Sequence, residues 1–139
     1  VKLATDYNLF SIEDPFHEED FKSFARLTSK LSRQLIVGDD LLCTNVKRMK
    51  IAKHMKSCNS LLLKVNQIGT VSEAVQAARL ATHSKWRTIV SHRSGETEDS
   101  FISDLAVALD CGLIKLGAPC RGERVSKYNR LTLIERLQF

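Results

Sequence analysis

Five residues with chemical capacity recur at nearly even spacing in this 139-residue sequence: Glu13, Asp39, Lys64, His92 and Lys115, at intervals of 26, 25, 28 and 23. Each directly follows a short apolar run: Leu9-Phe10-Ser11-Ile12, Leu35-Ile36-Val37-Gly38, Leu61-Leu62-Leu63, Thr88-Ile89-Val90-Ser91 and Leu113-Ile114. Two carboxylates that meet repel unless a cation lies between them, and hard oxygen ligands suit Mg²⁺. Glu13 and Asp39 are the candidate pair. Two plainer readings stand beside it: Glu13 or Asp14 caps a turn before Pro15, and only one of Asp39 and Asp40 points inward. Lys64 follows three leucines, an approach that favours burial of its amine. A desolvated lysine near a second positive charge, for which Lys115 is the candidate, can serve as a general base; a lone lysine at a strand end is commonly a structural or substrate-binding cation. Ser91-His92-Arg93-Ser94-Gly95 offers two hydroxyls, an imidazole, a bidentate guanidinium and a glycine that lets backbone come close, a set suited to phosphate or carboxylate. It is no serine-hydrolase triad, because Ser and His are sequence neighbours and no nucleophile elbow is present.

The elements that must position these residues follow from the pattern. Each run is continuous rather than alternating, as in strands buried on both faces of a parallel sheet. Between the runs lie amphipathic helices. Glu18-Glu19-Asp20 opens one whose buried stripe is Phe21, Phe24, Leu27 and Leu31; Asn45 caps the next; Thr70 with Glu73 forms a capping box ahead of Val71, Ala74, Val75, Ala78 and Ala81. Thr97 caps a helix with the stripe Phe101, Ile102, Leu105 and Leu109, and the last helix carries Val125, Tyr128, Leu131 and Ile134. With no Pro/Gly/Ser-rich linker, the sequence predicts one domain. Five strand–helix units fit either a doubly wound open sheet or part of a β/α barrel, whose eight units need roughly 250 residues. No G-x-G-x-x-G or P-loop follows the first strand. Polar residues ending all five strands favour the barrel, where such positions gather at the catalytic mouth.

Composition narrows the classes further. Apolar residues make up 43% and charged residues 27%, the balance of a globular protein. The net charge of +5 is matched by Lys47, Arg48, Lys50, Lys53 and Lys56 alone. Lys47, Lys50 and Lys53 share one face of a helix with Met49, Ala52 and Met55 on another, which reads as a solvated face before it reads as an anion-binding patch. No aromatic residues interleave with these positives, so nucleic acid is disfavoured as a partner. Cys43, Cys58, Cys111 and Cys120 form no C-x-x-C pair and find no ligand-like spacing to His17, His54, His83 or His92, which predicts reduced, half-buried thiols and no zinc. No apolar run approaches the roughly 20 residues of a membrane span, and Val1 to Asp6 lack the features of a secretory signal. The expected compartment is cytoplasmic.

At this point the segments Ser11-Ile12-Glu13-Asp14-Pro15-Phe16, Gly38-Asp39-Asp40-Leu41, Leu61 to Thr70, Ser91 to Asp99 and Ile114-Lys115 with Gly117-Ala118-Pro119 resemble the barrel of the enolases, in order, at matching intervals and over essentially the whole chain. The resemblance implies a partial (β/α)8 TIM barrel, the last five strand–helix units in a curved parallel sheet, with residues 1–139 the carboxyl-terminal portion of the barrel domain and no amino-terminal domain. It implies Mg²⁺-dependent dehydration of 2-phosphoglycerate to phosphoenolpyruvate, a glycolytic lyase reaction. Glu13 and Asp39 would hold Mg²⁺, and Lys64 would remove the C2 proton. Ser91, His92, Arg93, Ser94 and Lys115, together with the two acids, would bind substrate. A third metal-binding carboxylate, the acid that assists hydroxide departure and the closing loops would lie outside this stretch, so the isolated chain is expected to be inactive. A homodimer is expected of the full-length protein. Val46 stands where the family has proline and Leu116 where it has threonine, and Cys120 and Gly122 replace small residues; none is a catalytic position. The alternative is a non-catalytic enolase-like module that binds protein (in the manner of plasminogen) or anionic partners.

Overall fold

In the computed structural model, which describes residues 1–138, five short strands alternate with helices. The order is α1 (Lys2–Asp6), β1 (Ser11–Glu13), α2 (Phe21–Lys30), β2 (Leu35–Gly38), α3 (Val46–Met55), β3 (Ser60–Leu63), α4 (Val65–Ile68), α5 (Val71–His83), β4 (Arg87–Ser91), α6 (Phe101–Ala108), β5 (Ile114–Lys115) and α7 (Gly122–Gln138). Strand order in the sheet is the chain order, β1-β2-β3-β4-β5, as consecutive strand–helix units of a barrel require. The chain divides into two compact units, Val1–Thr88 and the part from Ile89 onward.

In the first unit β1, β2 and β3 pair in parallel, with Ile12 opposite Ile36 and Gly38 opposite Leu61. β3 is buried throughout and β2 from Ile36 onward, with Leu35 half-buried and Ile36 and Leu61 to Leu63 completely enclosed. The first run behaves differently. Phe10 is 65% exposed, and the strand starts only at Ser11, with Ser11 and Glu13 exposed. The short helix α1, absent from the sequence reading, causes this: Leu9 N–H donates to Ala4 O at 3.0 Å after a left-handed turn at Asn8, so Leu9 belongs to a helix exit.

The helices of this unit follow most of their sequence signals, except that in α5 Val71 is 44% exposed and Val75 half-buried while Ala77 joins the buried face. Phe21, Phe24 and Leu27 of α2 and Leu31 at its C-cap are all buried. Phe24 is sealed completely, with the Phe16 ring edge-on at 5.6 Å. Burial of that one ring is worth about 2–3 kcal/mol. The Asn45 side chain accepts from the backbone N–H groups of Lys47 and Arg48 at the start of α3, and Thr70 Oγ1 accepts from Glu73 N–H at the start of α5. Ala74, Ala77, Ala78 and Ala81 give α5 a small-residue face that lets it pack closely on α3 and β3.

In the second unit β4 and β5 are parallel, Ser91 lying opposite Lys115, and His92 N–H donates to Lys115 O at 3.0 Å. Here two expectations need correction. Helix α6 does not start after Thr97: the Thr97 hydroxyl accepts from Asp99 N–H, Asp99 Oδ1 accepts from Phe101 N–H, and the helix begins one turn later behind Ser100. Its buried residues are Ser103, Leu105 and Ala106, whereas Phe101 is 40% exposed, because the small Ser103 and Ala106 are what face α7. In α7 the predicted stripe is half-buried, and the residue fully enclosed is Lys127.

Candidate active site

The first cluster is built at the ends of β2 and β3. β2 closes on Gly38, where a Cβ would come within 2.6 Å of Leu42 Cγ, so glycine is what lets the following turn fold back tightly. That turn is held by Asp39 O, which accepts from Leu42 and Cys43 N–H, and it leaves Asp39 only 8% exposed. Both Asp39 oxygens are engaged: Lys64 Nζ lies 2.5 Å from Oδ2, and Gln67 Nε2 donates to Oδ1 at 3.0 Å. The four-residue helix α4, which the sequence reading did not contain, places Gln67 one turn past Lys64 so that both reach the same carboxylate.

Thr44 organises this group from below and was not singled out in the sequence. It is completely buried; its hydroxyl accepts from Lys64 N–H at 2.9 Å and donates to Gln67 Oε1 at 3.0 Å. Because Gln67 Oε1 is thereby an acceptor, the Gln67 amide must turn its NH₂ to Asp39. The available signal was a hydroxyl-bearing residue in a tight turn among apolar neighbours, which is too common to be diagnostic.

Asp14, which the sequence offers only as an alternative to Glu13 for capping a turn before Pro15, also has a wider role. Its backbone is left-handed, and its two oxygens accept the N–H groups of Asp39 and Asp40 at 3.0 and 2.7 Å. Asp14, Asp39 and Asp40 bring carboxylate oxygens within 4.8 Å of one another. Burial raises the Asp14 pKa, partly offset by the two amide hydrogen bonds and reinforced by the neighbouring Asp39 and Asp40 charges. Glu13 sits exposed at the end of β1, opposite Val37 in the strand register. Three converging carboxylates facing one lysine carry excess negative charge with hard oxygen donors, a set that fits Mg²⁺.

The second cluster follows β4. Ser91 and His92 are buried, while Arg93 and Ser94 are exposed. Ser91 Oγ donates to His92 O at 2.9 Å. Among the described residues, His92 Nδ1 and Arg124 Nε are buried nitrogens without a hydrogen-bond partner. Such atoms are costly to leave unsatisfied. Burial lowers the His92 pKa, and Arg124, Lys115 and Lys127 push the same way against Glu96, so the imidazole lies in a positive field. Lys115 is exposed at the end of β5. The first cluster is acidic with a lysine; the second is basic with hydroxyls.

The enolase C-terminal TIM barrel model matches residues 1–137 of this chain. The chain belongs to the enolase family. It is 61% identical over 133 residues to the enolase of Methanocaldococcus jannaschii, covering 96% of this chain and 31% of that enolase. The enolase of Mastigamoeba balamuthi is 58% identical over 133 residues, covering 95% of this chain and 30% of that protein. That of Solanum lycopersicum is 54% identical over 134 residues, with 96% and 30% covered. The chain therefore spans about three-tenths of the length of these enolases. The parallel strand order and intervening helices are those of a partial enolase-type TIM barrel.

Away from the enolase strand ends, the basic stripe reads as a solvated helix face. Lys47, Lys50, Lys53 and Lys56 are exposed, but Arg48 is turned away: its guanidinium meets Glu19, Glu18 O and Leu41 O and stands 5.3 Å from the Phe21 ring centre. All four cysteines are free thiols; Cys120 is exposed and Cys58 buried, so half-burial holds only for Cys43 and Cys111. No helix among the described residues is long and apolar enough to cross a membrane.

Proposed function

We propose that this chain, as the carboxyl-terminal portion of an enolase barrel domain, supplies part of the active site for Mg²⁺-dependent dehydration of 2-phosphoglycerate to phosphoenolpyruvate. The observation that carries this reading is the enclosed Lys64–Asp39 pair, braced by Gln67 and Thr44 at the ends of adjacent parallel strands. A lysine and a carboxylate held this closely by three other side-chain contacts are positioned for more than solvation.

Lys64 is the base, taking the C2 proton of substrate on Nζ. To do so it must arrive as the free amine, so its contact with Asp39 has to be relinquished or the Asp39 charge offset. Glu13 and Asp39, the latter with the Asp14 and Asp40 carboxylates beside it, would hold Mg²⁺, whose charge would supply that offset and balance the charge gathering on the substrate carboxylate. Arg93, with Ser91, His92 and Ser94, would hold the phosphate, the bidentate guanidinium fitting two of its oxygens. Lys115 would meet the substrate carboxylate. The neutral imidazole favoured by its surroundings lets His92 donate one hydrogen bond and accept another. A glycolytic role implies a cytoplasmic protein, and the family implies a homodimer of full-length chains.

The experiment is a replacement: the matching carboxyl-terminal segment of the M. jannaschii enolase is exchanged for this chain, and turnover of 2-phosphoglycerate with Mg²⁺ is followed. Turnover within about tenfold of the unmodified enzyme supports the reading. A folded hybrid with no turnover contradicts it. The isolated 139-residue chain should show none, because residues that act as a unit are strongly non-additive.

A further inference from the structure

Lysine is almost never fully buried unless its charge is met. Lys127 of α7 is completely enclosed. Its Nζ donates to Glu123 O at 2.6 Å and Thr97 O at 2.7 Å, and lies 3.2 Å from Glu96 Oε2. Three donors thus have three acceptors, and the ammonium is saturated. Glu123 lies one turn back in the same helix, whereas Glu96 and Thr97 belong to the segment that follows β4. The other oxygen of the same carboxylate, Glu96 Oε1, accepts the backbone N–H of Arg93 at 2.9 Å. A continuous link therefore runs from a buried ammonium, through one carboxylate, to the main chain of the residue whose guanidinium is assigned to phosphate. The helix end of that link is itself anchored, since Ser103 Oγ of α6 donates to Lys127 O at 2.9 Å.

We propose that Lys127 is a positioning residue for the Ser91–Ser94 segment: acting through Glu96, it fixes the Arg93 backbone and so the place from which the guanidinium reaches an anion. The proposal rests on the reading of Arg93 as a phosphate ligand for its purpose, but not for its geometry. Arg93 and Ser94 are exposed. Without an internal tether, their backbone would have to be ordered by substrate itself, at a cost to binding.

Amide hydrogen exchange on the 139-residue chain, read residue by residue by NMR, tests this. The amides of Val90 and His92, which donate to Leu113 O and Lys115 O, report whether the strands stay paired. In Lys127→Met, Arg93 N–H should exchange at least tenfold faster while Val90 and His92 keep their protection. Glu96→Gln keeps an oxygen for Arg93 N–H and removes only the charge that Lys127 meets; a threefold or greater acceleration confined to Arg93 is expected. Unchanged Arg93 exchange in a folded Lys127→Met overturns the proposal. If Lys127→Met also loses Val90 and His92 protection, Glu96→Gln decides: acceleration at Arg93 alone supports the tether, and no change overturns it. Titration with inorganic phosphate separates the two layers. Absence of shifts at Arg93 and Ser94 in the unaltered chain, with the exchange results as expected, contradicts the phosphate assignment while upholding the tether.

Discussion

Lys64 Nζ lies 2.5 Å from Asp39 Oδ2, and the two side chains keep only 13% and 11% of their surface exposed. Neighbouring strands make this contact: Gly38 and Leu61 are opposite in register, so the residues just beyond β2 and β3 emerge side by side. Removing one partner of such a buried pair leaves an uncompensated charge. Lys64→Met should therefore destabilise the first unit by about 3 kcal/mol. The double variant Asp39→Asn/Lys64→Met should lose less than the sum of the singles, a coupling of about 1–2 kcal/mol by denaturant unfolding. Strict additivity would show that the pair is not formed in solution.

Asp14 clamps the turn that carries Asp39, accepting two consecutive amides. Asp14→Ala strands both donors, at about 1–2 kcal/mol for the better-buried one. It should also weaken Mg²⁺ binding by at least tenfold in the hybrid enzyme, as the Asp39 backbone loses its anchor. Isothermal titration with Mg²⁺ alone reads this directly, and unchanged affinity would confine Asp14 to a turn-capping role.

His92 sets an acid dependence of stability. Burial, then the positive charges of Arg124, Lys115 and Lys127, hold its pKa below the ordinary 6.5. The unfolded chain then takes up the proton before the folded one does. Its contribution is fully present above about pH 6.5 and is lost as pH falls through the depressed folded-state value. Between pH 7.5 and 5, His92→Gln should lose less of its thermal midpoint than the unaltered chain does. Parallel curves would place the titration elsewhere.

Thiol chemistry should divide the cysteines sharply. Burial pushes the Cys58 pKa up to about 12, and the residue is 3% exposed, whereas Cys120 is exposed. A thiolate-selective reagent at pH 8 should label Cys120 first and Cys58 only on unfolding. Early modification of Cys58 would indicate that the β2–β3 region opens readily.

Much of this arrangement was legible in the sequence because it rests on local rules. The buried runs of β2 and β3, the stripe of α2 and the caps at Asn45 and Thr70 follow from periodicity and from hydrogen bonds only a few residues long. The strand ends were legible as well, since a polar residue after a continuous apolar run is hard to place elsewhere. What escaped depends on longer reach or on competition. Leu9 and Phe10 look like strand but are claimed by the exit of α1. Thr97 looks like a cap, yet Asp99, two residues on, accepts the first N–H of a helix that starts only after Ser100. Asp14, Thr44 and Lys127 act on partners 25, 20 and 30 residues away, a relationship that no local pattern encodes.

The most direct measurement of the central claim is exchange of the C2 proton of 2-phosphoglycerate with solvent deuterium in the M. jannaschii hybrid carrying Lys64→Ala. General-base assistance is worth about 10²–10⁴-fold, and the exchange rate should fall by at least the lower figure. Glu13→Ala and Asp39→Ala should instead chiefly raise the Mg²⁺ concentration required. Exchange that persists undiminished in a folded Lys64→Ala hybrid would remove Lys64 from the role of base and contradict the account.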